Sequence, residues 1–478
     1  MRTSGDGSFT LAATGDSILT RSVMDQTGAT AFETVVERLR DADATLTNLE
    51  AVATDGSSYA TPPRAVRDQY QYLASFPGTV LRCPPPLLDE LAAMGFDLFT
   101  TASNHSYDFG RRGMASTMRA LESRGLTYAG LGRDLPSARA PSYETTPAGR
   151  VGLVNATASV APGSEAGAPS SLLPGRPGVS PLHVNWTYRL SSERLERLRE
   201  IGAAVGIDDA TGTWVSRTGT DPDTTDHYDF MGMRFVATDD DVDEDADGDD
   251  DGTGAADGID HSLYEPDREE VLAGVREAAS MADWVVMALH AHQGPAGSRN
   301  VPETPAFLER FARDCIDAGA DVFVGSGPHV VRGVEVYRGK PIFYSLGNFF
   351  CQFETLDRLP AESFDYYGLD DDRYPSALFD ARYYDDEDEP TGNLAYPEYW
   401  QTVVPTCEFG AGGRLERLEL LPCTLGRTRP RSQRGTPALA TGEEAAAILD
   451  GVAERSAPYG TALDVVDGVG VVEPSSTT

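Results

Sequence analysis

Residues 319–350 read GADVFVGSGPHVVRGVEVYRGKPIFYSLGNFF, and residues 284–294, shortly upstream, read WVVMALHAHQG. Trp284 to Leu289 is an unbroken apolar run ending at His290, the pattern of a strand covered on both faces. Phe307, Leu308, Phe311, Cys315 and Ile316 then recur at helical spacing, and Gly319 closes that helix. Asp321 to Val324 is a second buried strand that runs into a loop at His329. Val334 to Tyr337, a turn at Gly339 and Ile342 to Leu346 make a hairpin. Strand, helix and strand in this order predict an α/β (α+β) sheet protein.

The same rhythm extends towards the N-terminus. Ser8 to Thr14 is a strand ending in Gly15-Asp16, followed by a helix face of Phe32, Val35, Val36 and Leu39. Thr45 to Leu49 is a strand ending at Glu50. Leu87, Leu88 and Leu91 mark a helix closed by Gly95, and the strand Phe96 to Ala102 ends at Asn104-His105. Met118 and Leu121 lead to Gly125, then to strands Leu126–Ala129 and Val151–Ala156. Residues 160–182 are rich in Pro, Gly and Ser and predict a surface loop, and 190–205 predict a helix. Val271, Leu272, Val275 and Ala279 form another helix face, and strands follow near 402–409 and 414–423.

Polar residues gather where these strands end, the place at which open α/β sheets bind ligands. The clusters are Gly15-Asp16, Asn48-Leu49-Glu50, Asn104-His105 with Asp108, His290 with His292, and His329. Of only seven histidines, His105, His290, His292 and His329 fall in these clusters. Carboxylates, an amide oxygen and imidazoles make a ligand set for Mn, Fe or Zn, and the lack of cysteine argues against a structural zinc cage. Each residue also has a plainer reading. Asp16 could cap a helix, Glu50 could face solvent, and Asn104 could hold an Asx turn. His105 could be a satisfied core histidine, and Asp108 could cap the next helix or orient His105. His292, two positions after His290, shares its face in an extended segment. His183, His227 and His261 lie in loop-like or acidic surroundings and read as ordinary surface histidines. No G-x-S-x-G elbow is present, although Gly325-Ser326-Gly327 comes near one, and no P-loop or Rossmann glycine fingerprint precedes a helix.

Composition narrows the function classes. The chain has 478 residues, 40% of them hydrophobic, enough for a sizeable core. Its net charge of −36, with Lys340 the only lysine, repels nucleic acid and anionic lipid surfaces. An acid excess spread over the chain predicts a surface suited to high salt, where a Debye length of about 3 Å at 1 M screens self-repulsion. Five scattered cysteines form no disulfide framework. With no apolar run of about 18 residues and no secretory signal, a cytoplasmic location without a membrane span is expected. Residues 238–260 (TDDDVDEDADGDDDGTGAADGID) lack the apolar content to order themselves, so a disordered acidic insertion is expected at about 238–262. Residues 436–478 are Gly-, Ala-, Ser- and acid-rich and read as a tail with one short helix at 442–454, leaving 1–435 as the main domain.

The ordered stretches TGDSILTR (14–21), TNLEAV (47–52), MGFDLFTTASNHSYDFGRRGM (94–114), YAGLGRDLPSARAP (128–141), GRPGVSPL (175–182), VVMALHAHQG (285–294) and 319–350 resemble the CapA family of poly-γ-glutamate capsule synthesis. That family is in turn similar to the calcineurin-like metallophosphoesterases. The resemblance implies a four-layer α/β/β/α sandwich and a site for two divalent ions. By position, Asp16, Glu50, Asn104, His290 and His329 resemble metal ligands, with Glu50 bridging, and His292 joins them less directly. His105 resembles the general acid and Asp108 its orienting partner. It further implies a metal-dependent phosphoesterase-type hydrolase using metal-activated water on an anionic small molecule or polymer. The family name implies a second role, a non-hydrolytic accessory or binding component of exopolymer assembly, and amide hydrolysis is a third. Two positions depart from the phosphoesterase pattern: Ile18 replaces the His of Asp-x-His, and Ser326 stands where a late His is expected.

Overall fold

In the computed structural model, the described residues are 8–24, 29–57, 60, 80–206, 227–230, 233–238, 257–369, 371–410 and 412–473. They form a mixed α/β protein with two large mixed sheets and, among the described residues, ten α-helices. The first sheet is built around Phe9–Ile18, a strand buried along nearly its whole length. It runs parallel to Ala44–Asn48 on one side and antiparallel to Gln401–Phe409 on the other. Its last residues also pair in parallel with Asn348–Cys351, which sets Asn348 opposite Asp16. The ladder is irregular on both sides of Asp16. Gly15 explains why: a Cβ there would lie 1.9 Å from the Gly347 carbonyl oxygen, so only glycine lets the two backbones meet. Such irregularities re-aim side chains beside functional sites.

The second sheet has the order Val334–Tyr337, Lys340–Phe343, Val322–Ser326, Trp284–His290, Gly149–Thr157 and Ser142–Thr146. Its central strands are parallel, and His290 pairs with Ser326 and with Thr157. The period-2 alternation of strands assigns the cores. Leu11 and Ala13 join Leu153, Val286, Ala288 and Val324 in a cluster drawing on both sheets, where Phe9 stacks on Trp284 at 4.7 Å. Ala12, between them in sequence, joins a cluster with helix Thr30–Arg40 (Phe32, Val35, Val36, Leu39) and helix Leu87–Ala93. Helices Glu265–Met281 and Ala306–Ala318 pack Val271, Val275, Phe307 and Phe311 against the second sheet. Each fully buried Leu, Val or Phe contributes about 1.5–3 kcal/mol.

Two segments differ from their compositional reading. Within 436–478, helix Gly442–Ser456 buries Ile448, Leu449 and Val452 in the core shared by the sheets, and Val469–Val472 pairs with Leu415–Thr424 in the first sheet. The apolar helical stripe outweighs the surrounding Gly, Ala and Glu. Residues 184–263 carry a separate four-stranded sheet: His227–Phe230, Met233–Thr238, Val184–Ser191 and Gly258–Leu263. His227 and His261 therefore lie in strands, and His261 packs edge-on to Trp186 at 4.3 Å. Most of the acidic insertion, residues 239–256, lies outside the described residues. Its last positions form the Gly258–Leu263 strand.

Candidate metal centre

The strand ends of both sheets converge on one buried polar cluster. Asp16 is fully buried. Its Oδ1 accepts from Asn48 Nδ2 at 2.7 Å, and its Oδ2 accepts from the Gly327 amide at 3.0 Å. Oδ1 also lies 3.7 Å from His290 Nδ1, and Oδ2 3.4 Å from His329 Nδ1. Glu50 follows the Ala44–Asn48 strand, 3.5 Å from His290 Nε2 and 3.9 Å from His329 Nδ1. Asn104 Oδ1 sits 2.8 Å from His290 Nε2 and 3.2 Å from His292 Nε2. The two histidine Nε2 atoms are 3.3 Å apart. Asp16, Glu50, Asn104, His290, His292 and His329, spread over 314 positions of sequence, thus share one space.

His105 and Asp108 form a pair beside it. His105 Nδ1 donates to Asp108 Oδ2 at 2.7 Å, and the same oxygen accepts from the Leu81 amide at 2.7 Å. Asp108 therefore orients His105; the helix that follows, Gly110–Glu122, has no side-chain cap. His183 stands apart from the pocket, where its Nδ1 donates to Asp267 at 2.5 Å.

The donor set fits a cation. Both Glu50 carboxylate oxygens are buried, and among the described residues neither has a hydrogen-bond partner. Such a group costs free energy unless something positive compensates it. The groups around it offer lone pairs. Asp16, Glu50 and His290 can converge on one ion and Glu50, His292 and His329 on another, so Glu50 belongs to both triads. Electrostatics agree. Burial, reinforced by the charges of Asp16 and Asp108, holds the Glu50 carboxyl well above the usual carboxylate range. Burial also pushes Asp16 up, but the His329 hydrogen bond, the His290 and His329 charges and the Asn48 bond prevail, so its pKa is lowered. Burial pushes His290 down to about 3 against the pull of Asp16, and burial with the His290 charge lowers His292 strongly. Both shifts favour the neutral imidazole, the form metal ligation needs.

Several contributors carried no assigned role in the sequence. Asn48 bridges Asp16 and His290, its Nδ2 also lying 3.2 Å from His290 Nδ1. Asn348 Oδ1 lies 2.8 Å from His329 Nδ1. Asn300 Oδ1 lies 2.6 Å from His292 Nδ1. An amide inside or ending an otherwise apolar strand, as in TNLE and LGNFF, was the available signal for the first two. The departures are placed as well. Ile18 is buried in the apolar cluster beneath helix Thr30–Arg40, and Ser326 Oγ lies 3.2 Å from His290 Nδ1.

Both the fold and this pocket define a class, and comparison with known proteins gives it a family. The model for bacterial capsule synthesis protein PGA_cap matches residues 10–352, so the chain belongs to that family, the CapA proteins. An uncharacterized protein of Sinorhizobium fredii, y4sH, is 33% identical over 97% of this chain and 93% of its own length. The PGA biosynthesis protein CapA of Bacillus subtilis is 42% identical over 17% of this chain and 20% of its own. A "probable polyglutamine synthesis accessory protein" of Mycobacterium tuberculosis is 26% identical over 58% of this chain and 50% of its own. No helix among the described residues is long and apolar enough to cross a membrane.

Proposed function

We propose that this CapA-family protein is a metal-dependent hydrolase of the phosphoesterase type that serves capsule-like exopolymer metabolism. In this reading its two sheets and flanking helices are a four-layer sandwich, and Glu50 would serve two divalent ions of the Mn, Fe or Zn kind. The observation that carries the reading is Glu50 itself, a buried carboxylate with no hydrogen-bond donor among the described residues, shared by two ligand triads.

When bound, such ions would acidify water towards a pKa of about 7 and neutralise charge on the oxygens of a phosphoryl group. The chain supplies the rest. Asp16, Asn104, His290, His292 and His329 would hold the ions, and Asn48 fixes Asp16. His105, its Nδ1–H held by Asp108, would in its imidazolium form hand the Nε2 proton to the leaving oxygen and return to the neutral form, a step worth about 10²–10⁴-fold. An assay of generic aryl phosphates with Mn²⁺, with Asp16→Ala and His329→Ala alongside, tests it. Activity in the parent lost in both variants is expected; equal rates in all three reject the reading.

A non-hydrolytic accessory role is the second reading. It is favoured by Ile18, apolar where an imidazole ligand would complete the pattern, and by the accessory label on the mycobacterial relative. Full metal loading without turnover on any phosphate or amide substrate would favour it.

A further inference from the structure

The ligands Asp16 and His290 lie within regular strands. His292 does not. It lies beyond the Trp284–His290 strand, on a segment that turns back at Pro295–Gly297. A side chain on such a segment holds its aim only if the segment is fixed from outside.

Three observations show how it is fixed. First, Asn300 touches His292 twice: the Asn300 amide donates to the His292 carbonyl at 3.0 Å, and Asn300 Oδ1 lies 2.6 Å from His292 Nδ1. An amide oxygen only accepts, and of the two that His292 faces, Asn300 Oδ1 at 2.6 Å is nearer than Asn104 Oδ1 at 3.2 Å, which assigns the proton to Nδ1 and leaves Nε2 facing Asn104 and His290. Asn300 adopts φ +55°, the left-handed region that asparagine tolerates better than most residues. Second, Arg332 clamps both stems of the turn. Its Nη2 donates to the Gln293 carbonyl at 2.7 Å and its Nε to the Val301 carbonyl at 3.1 Å. This guanidinium is fully buried, and among the described residues it makes no ion pair and its Nη1 has no hydrogen-bond partner. A buried unpaired charge is costly, so its retention points to a task beyond packing. Third, the Tyr399 hydroxyl donates to the Asn300 carbonyl at 3.3 Å, while the Tyr399 ring lies 6.2 Å from that of His329.

We propose that Asn300 and Arg332 are positioning residues that convert His292 into a metal ligand: Asn300 fixes the Nδ1–H tautomer, and Arg332 locks the turn that carries both. The proposal rests on the metal reading above and deepens it. It assigns the second triad, Glu50, His292 and His329, to a ligand held by an outer brace. Outer partners of this kind typically change metal affinity by 10–100-fold.

The test uses the full chain and two readouts. In chelator-treated protein, long-range ¹H–¹⁵N NMR of labelled histidine reports the His292 tautomer, assigned with His292→Ala. Parent and Asn300→Asp, which keeps an acceptor, are expected to show Nδ1–H, and Asn300→Ala to show a tautomer mixture. Mn²⁺ binding by calorimetry is then expected to weaken 10–100-fold in Asn300→Ala and in Arg332→Met at one of two sites, with Asn300→Asp near the parent. Circular dichroism verifies that each variant is folded; if Arg332→Met does not fold, Arg332→Lys, which keeps one donor, takes its place. An unchanged tautomer together with parental Mn²⁺ affinity in folded Asn300→Ala overturns the brace while leaving the metal reading intact. Absence of Mn²⁺ binding in the parent instead rejects the metal reading, and the tautomer result then stands by itself.

Discussion

Replacing Glu50 by glutamine removes the one charge that the pocket cannot satisfy without a cation. In the metal-free chain the Glu50 carboxyl is held well above its ordinary value, chiefly by burial and then by Asp16 and Asp108. The folded chain therefore binds that proton more tightly than the unfolded chain does. The resulting stabilisation is complete below the unfolded value of about 4.3 and is lost as pH rises through the folded one. A buried group left unsatisfied costs about 1–3 kcal/mol, and more when charged. At pH 8 in chelator, Glu50→Gln is thus expected to be more stable than the parent by about 1–3 kcal/mol, and the gain is expected to vanish near pH 4. Metal closes or reverses that gap. Mn²⁺ at 100 times its Kd stabilises the parent by about 2.7 kcal/mol. For 478 residues, an unfolding entropy of about 2.1 cal/mol/K per residue converts this to roughly 3 °C in Tm. Glu50→Gln should show little of that rise. Thermal scans at pH 5 and pH 8, with chelator or Mn²⁺, make the comparison. A Glu50→Gln variant that is less stable than the parent in chelator at pH 8, yet gains the full Mn²⁺ shift, refutes the reasoning.

Other outcomes follow from the same geometry. His105→Ala is expected to lower kcat by about 10²–10⁴ while bound metal, measured by mass spectrometry, stays at the parental level. Gly15→Ala would place a methyl group 1.9 Å from the Gly347 oxygen, so chemical denaturation should show a loss of several kcal/mol together with loss of metal binding as Asp16 shifts. Leu449→Ala, at a site 1% exposed in the core shared by the sheets, should cost about 2–5 kcal/mol in the same measurement. A loss near zero would mean that the C-terminal segment is dispensable. With a net charge of −36, unfolding midpoints are expected to rise between 0.1 and 2 M KCl, and a flat response would remove the link between acidity and salt.

The alternating strand-and-helix pattern was legible because each element carries its own period. Phe32, Val35, Val36 and Leu39 alone mark a helix, and Trp284–His290 alone marks a strand. The candidate residues were legible because polar groups after apolar runs mark strand ends. Their convergence was implied only by the family resemblance, because it is a property of long-range pairing. The Gly327 amide that bonds Asp16 is 311 positions away, and Asn348 meets Asp16 only through a parallel pairing that no local signal announces. The four-stranded sheet was hidden for a different reason. Val184–Ser191 does alternate, with Trp186, Tyr188 and Leu190 on one face, but it runs straight into a helix-patterned stretch. The C-terminal helix was underrated because its Gly, Ala and Glu content obscured Ile448, Leu449 and Val452.

Anomalous diffraction from crystals soaked in Mn²⁺ tests the pocket most directly. The predicted result is a pair of peaks about 3.5–4 Å apart on either side of the Glu50 carboxylate, one near Asp16 and His290 and the other near His292 and His329. Fully occupied Mn²⁺ elsewhere on the chain, with no peak within bonding distance of Glu50, contradicts it.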